Sequence, residues 1–346
     1  MPSNQLLYLL YGNKTVYRYE AKFSILSALR NQKKLGSFII TLMTDSPEQF
    51  SGWPVNIVGL DEQTITAWKG TQGYTHRLKA CAIEVGSKLA DKTIFVDTDT
   101  VFLSDPASLF DQVSDHKFLM DRFEWTWEEA IKRPSFAEFS ADVIAKGQAP
   151  VDNLKLYNSG ICGLTLQNSN LIKQAIDLID EWSSYGKTLH TIEQIAISFM
   201  LADKQVSESY GKVNHYYAWK RYHHAMFEVF FKANGEDYSL TLLQRSYEVP
   251  SFKPLPSYFA RLKVKIQLLS VDKDLLKAAK CYLYGNALRN SPYMHACRDI
   301  WWQRALESIR KRNPSQAKLR RLGDFWHGKN ENSRFKAMLA EKLKVG

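Results

Sequence analysis

Three near-continuous apolar runs, QLLYLLYG (5–12), GSFIITLMTD (36–45) and KTIFVDTD (92–99), constrain this chain more than any other feature. Runs rich in Leu, Ile, Val and aromatics without polar alternation suit strands covered on both faces. Each ends in glycine or aspartate. Helical spacing fills the gaps between them. YRYEAKFSILSALRNQKK carries Phe23, Leu26, Ala28 and Leu29 on one stripe. GYTHRLKACAIEVGSKLADK carries Leu78, Cys81, Ala82, Val85 and Leu89 on another. Val55–Leu60 adds a short strand. Strands alternating with helices predict an α/β domain with a mostly parallel, Rossmann-like central sheet. Ligands of such sheets bind at the carboxyl ends of the strands, where Asp45, Asp97 and Asp99 fall.

Further along, LKLYNSGICGLTL (154–166) joins an apolar run to a small Asn-Ser-Gly turn. NLIKQAIDLIDEWSSYG reads as an amphipathic helix that Gly186 caps, and HTIEQIAISFMLA (190–202) as a helix with Glu193 and Gln194 in its first turn. From about Pro250 the texture changes. PSFKPLP reads as a linker, and basic helical stretches follow. The expected organisation is a catalytic domain over 1–250 and a basic helical extension over 251–346. Of the net charge of +10, residues 253–346 hold 21 Lys+Arg against 7 Asp+Glu, while 1–252 hold 25 against 29. So basic a tail points to an acidic partner, an anionic membrane or nucleic acid. No helix-turn-helix spacing, zinc finger or RNP-like motif accompanies it, which weakens the nucleic-acid alternative.

Asp97 and Asp99 are two residues apart, so an extended backbone points both to one side. Two carboxylates so placed repel, and burying either without a partner is costly. A divalent cation relieves both problems, because hard cations prefer carboxylate oxygens. DTDTV also matches the DxDx[TV] of aspartate-nucleophile phosphatases of the haloacid dehalogenase type. In that class the motif opens the fold on its first strand and needs a later acidic pair. Here nearly a hundred residues precede it, and Gly323-Asp324 lacks the second acid.

Four blocks in order resemble another class, the GT-A-fold glycosyltransferases, closest to the bacterial family-8 sugar transferases related to glycogenin. They are LLYLLYGNKTVYRYEAKFSILSAL, YTHRLKACAIEVGSKLADKTIFVDTDTVFLSDP, LYNSGICGLTL and HTIEQIAI, which together span about residues 5–200. The resemblance implies transfer of a hexose from a nucleoside-diphosphate sugar, UDP-linked, with retention of configuration. The acceptor would be a hydroxyl of a cell-surface glycan or glycolipid precursor, such as a lipopolysaccharide. It implies Mn²⁺ or Mg²⁺ on Asp97 and Asp99, with Asp97 also facing the donor. Tyr11 and Gly12 would meet the nucleotide, and Arg77 is the basic residue carried over against the donor. Lys79 is read as a solvated helix face. Asn158, Ser159 and Gly160 would line the sugar pocket, and Gln194 would lie near the reacting face of the sugar. Glu193 stands where the family has aspartate. The family's third metal ligand is a histidine from an HYxGxxKPW-like segment. KVNHYYAWKRYHH offers His215 without the Gly and Pro, and His223 and His224 compete with it.

The extension interleaves Tyr258, Phe259, Tyr282, Trp301, Trp302, Phe325 and Trp326 with Lys and Arg. That mixture suits an interfacial helix, hence peripheral attachment to the cytoplasmic face of a membrane. Cys81, Cys162, Cys281 and Cys297 have no CxxC spacing and are expected as buried thiols. MPSNQLLYLLYGN lacks the basic start of a signal peptide, so a cytoplasmic location is expected.

Overall fold

The structure, a computed structural model, describes residues 3–148 and 153–312. Phe325, Trp326 and Gly323-Asp324 lie outside the described residues. The chain divides into two compact units, one of residues 1–217 with 236–247 and one of 218–235 with 248–346.

In the first unit the strands are β1 (Asn4–Leu10), β2 (Ile39–Thr44), β3 (Asn56–Gly59), β4 (Lys92–Val96), β5 (Thr100–Phe102), β6 (Lys117–Thr126), β7 (Lys155–Thr165), β8 (Gln205–Glu208) and β9 (Val213–His215). Among the described residues, seven of them form one sheet in the order β3-β2-β1-β4-β7-β6-β8. All its pairings are parallel except those of β7, which runs antiparallel to both β4 and β6. The expected α/β class with a mostly parallel sheet is what the chain adopts. From β1 the chain adds β2 and β3 on one side and then crosses to β4 on the other. The carboxyl ends of β1 and β4 therefore flank a switch point, where α/β sheets open a crevice.

Both faces of the sheet are covered, as the unbroken apolar runs require. Leu7, Phe95, Met120 and Leu164 are buried in one cluster with Leu78, Ile83, Ile179, Trp182 and Ile195 of the helices Arg77–Gly86, Ser169–Trp182 and Ile192–Met200. Trp182 meets Phe139 and Phe199 edge-on at 5.2 and 5.0 Å. Such pairs add about 1 kcal/mol each beyond burial. On the other face Tyr8, one residue from Leu7, hydrogen-bonds Ser24 of the helix Thr15–Asn31 at 3.0 Å.

Three local expectations are corrected. Asn158-Ser159-Gly160 is no turn but the buried interior of the 11-residue strand β7, because both β4 and β6 hydrogen-bond to it. Gly186 does not cap the helix, which ends at Trp182. It lies in the following 3-10 turn, where a Cβ would meet Tyr74 Cδ2 at 2.8 Å. Residues 250–256 are no free linker. Lys253 Nζ sits 3.7, 4.0 and 4.9 Å from the ring centres of Trp219, Trp301 and Tyr222, and Trp301 Nε1 donates to Pro254 O at 3.3 Å. Cation–π contact and that hydrogen bond pin the segment to the second unit.

In that unit the helix Pro292–Arg312 packs on both Lys220–Asn234 and Leu276–Asn286. Tyr282, Trp301 and Trp302 are buried there, so these three aromatics build a core and do not meet lipid. All four cysteines are free and buried. Among the described residues no helix is long and apolar enough to cross a membrane.

Candidate functional site

β4 delivers Asp97 to the switch point. The Asp97 N–H donates to Gly160 O at 2.8 Å, and Thr100 Oγ1 donates to Asp97 O at 2.9 Å. These bonds turn the chain into β5, which pairs with β9 so that Thr100 stands opposite His215. That pairing carries the imidazole to the two aspartates. His215 Nε2 lies 3.3 Å from Asp99 Oδ1 and 3.9 Å from Asp97 Oδ2. One ligand atom from each of Asp97, Asp99 and His215 lies within 4.8 Å of the other two. Of the three candidate histidines, His215 is the one that reaches the aspartates. His223 and His224 belong to the helix Lys220–Asn234 of the other unit.

The ring of His215 is fixed from two sides. Its Nδ1 lies 2.9 Å from Asp121 Oδ2, and Ser209 Oγ donates to Asp121 Oδ1 at 3.2 Å. Asp121 is buried on β6 at an irregularity in its pairing with β7. Gly160 also abuts the ring, and a Cβ there would lie 2.1 Å from His215 Cε1. Glycine here is a matter of space for the imidazole, since its backbone φ is not in the left-handed region.

Burial opposes charge on His215, yet the hydrogen bond to Asp121, that to Asp99 and the field of Asp97 push its pKa up to about 10. Burial, joined by the neighbouring Asp99, holds the Asp97 carboxyl above its ordinary range, against the pull of Lys79 and His215. Two carboxylate oxygens and one imidazole nitrogen, the latter backed by a buried carboxylate, fit a divalent cation.

Lys79 does not lie on a solvated helix face. Its Nζ donates to Asp97 Oδ2 at 2.9 Å and Ser159 Oγ at 3.2 Å, and stands 3.4 Å from Glu193 Oε1. Although burial works against its charge, Asp97 and Glu193 raise its pKa above the ordinary lysine value. Arg77 instead forks onto Asp180 at 2.6 and 2.8 Å and donates to Trp68 O at 3.1 Å. The helix turns by about 200° between these positions, so only one of them can face the strand end. Lys79 does.

Glu193 is buried and accepts from Ser159 Oγ at 2.6 Å. Asn158 and Gln194 share a partner that the sequence reading missed. Glu124 of β6 accepts from Asn158 Nδ2 at 3.0 Å and from Gln194 Nε2 at 2.9 Å. At the other side of the switch point Gly12, with φ +81°, donates its N–H to Asp45 Oδ2 at 2.8 Å. Tyr11 is half-buried, and burial, then Tyr17 and Asp97, raise its pKa.

No protein-family model and no curated protein matches the chain. Among solved structures it is similar to mouse xyloside xylosyltransferase 1 in its apo form, at 14% identity and a TM-score of 0.40 over 60% of this chain and 85% of that one. It is also similar to the apo structure of the bifunctional glycosyltransferase WbbM, at 12% identity and a TM-score of 0.40 over 60% of this chain. The match spans 38% of the WbbM chain.

Proposed function

We propose that this chain is a metal-dependent glycosyltransferase that moves a hexose from a nucleoside-diphosphate sugar, UDP-linked, to a hydroxyl of a glycan or glycolipid precursor. The observation that carries the reading is the Asp97–Asp99–His215 group at the β1/β4 switch point, with Lys79 on Asp97. Asp97, Asp99 and His215 would hold the cation, which when bound supplies positive charge to the diphosphate. In the reaction the bond from the anomeric carbon to the diphosphate oxygen breaks with its electron pair on the diphosphate. The acceptor oxygen takes its place on that carbon and releases its proton.

The residues around the group have work suited to that step. Lys79 keeps a fixed ammonium beside Asp97, where negative charge develops on the leaving group. Asp121 and Gly160 fix the ring of His215, so that Nε2 faces the aspartates. Gly12, at the end of β1, leaves backbone open for the nucleotide. Asn158, Glu124 and Gln194 form a hydrogen-bonded row that can read sugar hydroxyls. Retention of configuration belongs to the same reading, through the sequence resemblance.

Calorimetric titration of UDP and GDP, with and without Mn²⁺, tests the reading on wild type and Asp99→Ala. Binding that needs the metal and disappears in the variant is expected, and hydrolysis or transfer from UDP-hexoses should then follow the same pattern. Binding that ignores both metal and variant would overturn the metal site. Failure of both nucleotides to bind would overturn the transferase reading.

A further inference from the structure

Large apolar side chains scattered over a surface are ordinary, but a contiguous row of them is a docking site. The helix Tyr258–Gln267 and the 3-10 turn Leu268–Ser270 carry such a row. Tyr258 is 68% exposed, Phe259 80%, Ile266 63% and Leu269 85%, with Leu262 about half exposed among them. At about 100° per residue Tyr258, Phe259, Leu262 and Ile266 fall within about 100° on one side of the helix, and Leu269 follows in the turn. The opposite side is the one that packs, through the buried Val264 and the half-buried Ala260 and Leu268. Ser257 caps the helix by accepting from Ala260 N at 3.3 Å, so its start is fixed without help from a partner.

The borders of the row select its occupant. At the same angular step Lys263 lies on one edge of it, and Arg261 and Lys265 on the other. No acidic residue occurs between Lys253 and Val271. A second copy meeting this row with its own would bring the same cations against these. The chain's own segment 313–346 holds 8 Lys+Arg and 3 Asp+Glu, so it would also be repelled. An anionic bilayer meets both demands: acyl chains take the apolar row, and the lipid headgroups take the flanking cations. We infer that residues 258–269 form an interfacial helix that lies in the surface of an anionic membrane. The inference uses only the second unit and does not depend on the transferase reading.

The test is co-sedimentation of the full chain with vesicles of 30% phosphatidylglycerol in phosphatidylcholine and with pure phosphatidylcholine, at low and high salt. Wild type should bind the anionic vesicles and lose most of that binding at high salt. Phe259→Ser/Leu269→Ser should weaken it by about tenfold or more per side chain removed, with an unchanged melting temperature because both residues are exposed. Phe259→Trp should keep binding and shift its emission to the blue only with anionic vesicles. No vesicle binding, or binding that the double serine variant retains in full, would overturn the inference. So would a concentration-dependent dimer dispersed by that variant, or salt-sensitive retention of RNA or DNA in place of vesicles.

Discussion

Asp121→Asn is the perturbation that most directly probes how the candidate metal site is built. Its carboxylate lies 2.9 Å from His215 Nδ1, and the pKa of the imidazole stands at about 10. To ligate a cation, Nε2 has to give up a proton. At pH 7 that competition spans about three pH units, or about 4 kcal/mol, and the apparent metal affinity should rise about tenfold per pH unit. The asparagine keeps a similar shape but removes the charge that orients the ring and holds its proton. Loss of an outer carboxylate behind a ligating histidine costs about 10–100-fold in metal affinity. Loss of that charge also lowers the pKa of His215, which relaxes the competition at neutral pH. The two effects oppose each other at low pH and separate as pH rises. Mn²⁺ titrations from pH 6 to 8.5, in buffers of different ionisation enthalpy, read affinity and proton release together. Wild type should release close to one proton per metal across the range. The variant should release less above its lowered midpoint and fall progressively further below wild type. Wild-type binding without proton release, or an Asp121→Asn curve that overlays it, would refute the coupling of Asp121 to the site through His215.

Further outcomes follow from individual contacts. Gly160→Ala puts a Cβ 2.1 Å from His215 Cε1, so the ring must move. Metal binding should be lost and about 1–3 kcal/mol of stability with it, by titration and thermal melt. Lys79→Met leaves Asp97, Glu193 and Ser159 without their shared cation, so turnover should fall by about 10²-fold or more while the metal-only affinity rises, because Asp97 no longer has a competing partner. Glu236 accepts from Arg18 and Lys22 at 2.7 and 3.0 Å, and although burial opposes it, these cations hold its pKa below the ordinary 4.5. Its contribution is then present above pH 4.5 and lost as pH falls through the depressed value. Glu236→Gln should cost ~1–2 kcal/mol at pH 7 in denaturant melts, with the gap to wild type closing in acid.

Much of this was visible in the sequence because it rests on local pattern. The runs before Gly12, Asp45 and Asp97 are strands β1, β2 and β4, and the helical stripes lie where their periodicity puts them. Asp97 and Asp99 could be singled out because they are neighbours. His215 could not be chosen over His223 and His224, since its place depends on β5 pairing with β9 across 115 residues, Thr100 to His215. Lys79 and Arg77 were exchanged for the same kind of reason. Helical spacing tells which residues share a face, not which face turns toward a strand end. Asp121 did carry a signal that went unread. Phe118-Leu119-Met120 is an apolar run closed by an aspartate, the same pattern that marks Asp97. The Asn-Ser-Gly triplet misled because small polar residues mark turns, whereas here small size makes room for an imidazole within a strand.

The path of the chain also limits how this protein can be taken apart. It leaves the first unit after Tyr217, supplies the helix Lys220–Asn234 to the second, returns for residues 236–247 and leaves again. A chain cut at residue 250 would keep that helix but lose Pro292–Arg312, against which it packs. Tyr222, Met226, Phe227 and Phe230, all buried, belong to it. Such a fragment is a half-stripped core and not a self-contained unit. Interleaved in this way, the two units cannot be shuffled like beads on a string. Any exchange of the second unit would have to carry the excursion at 218–235 with it, and inheritance of the two parts is tied together.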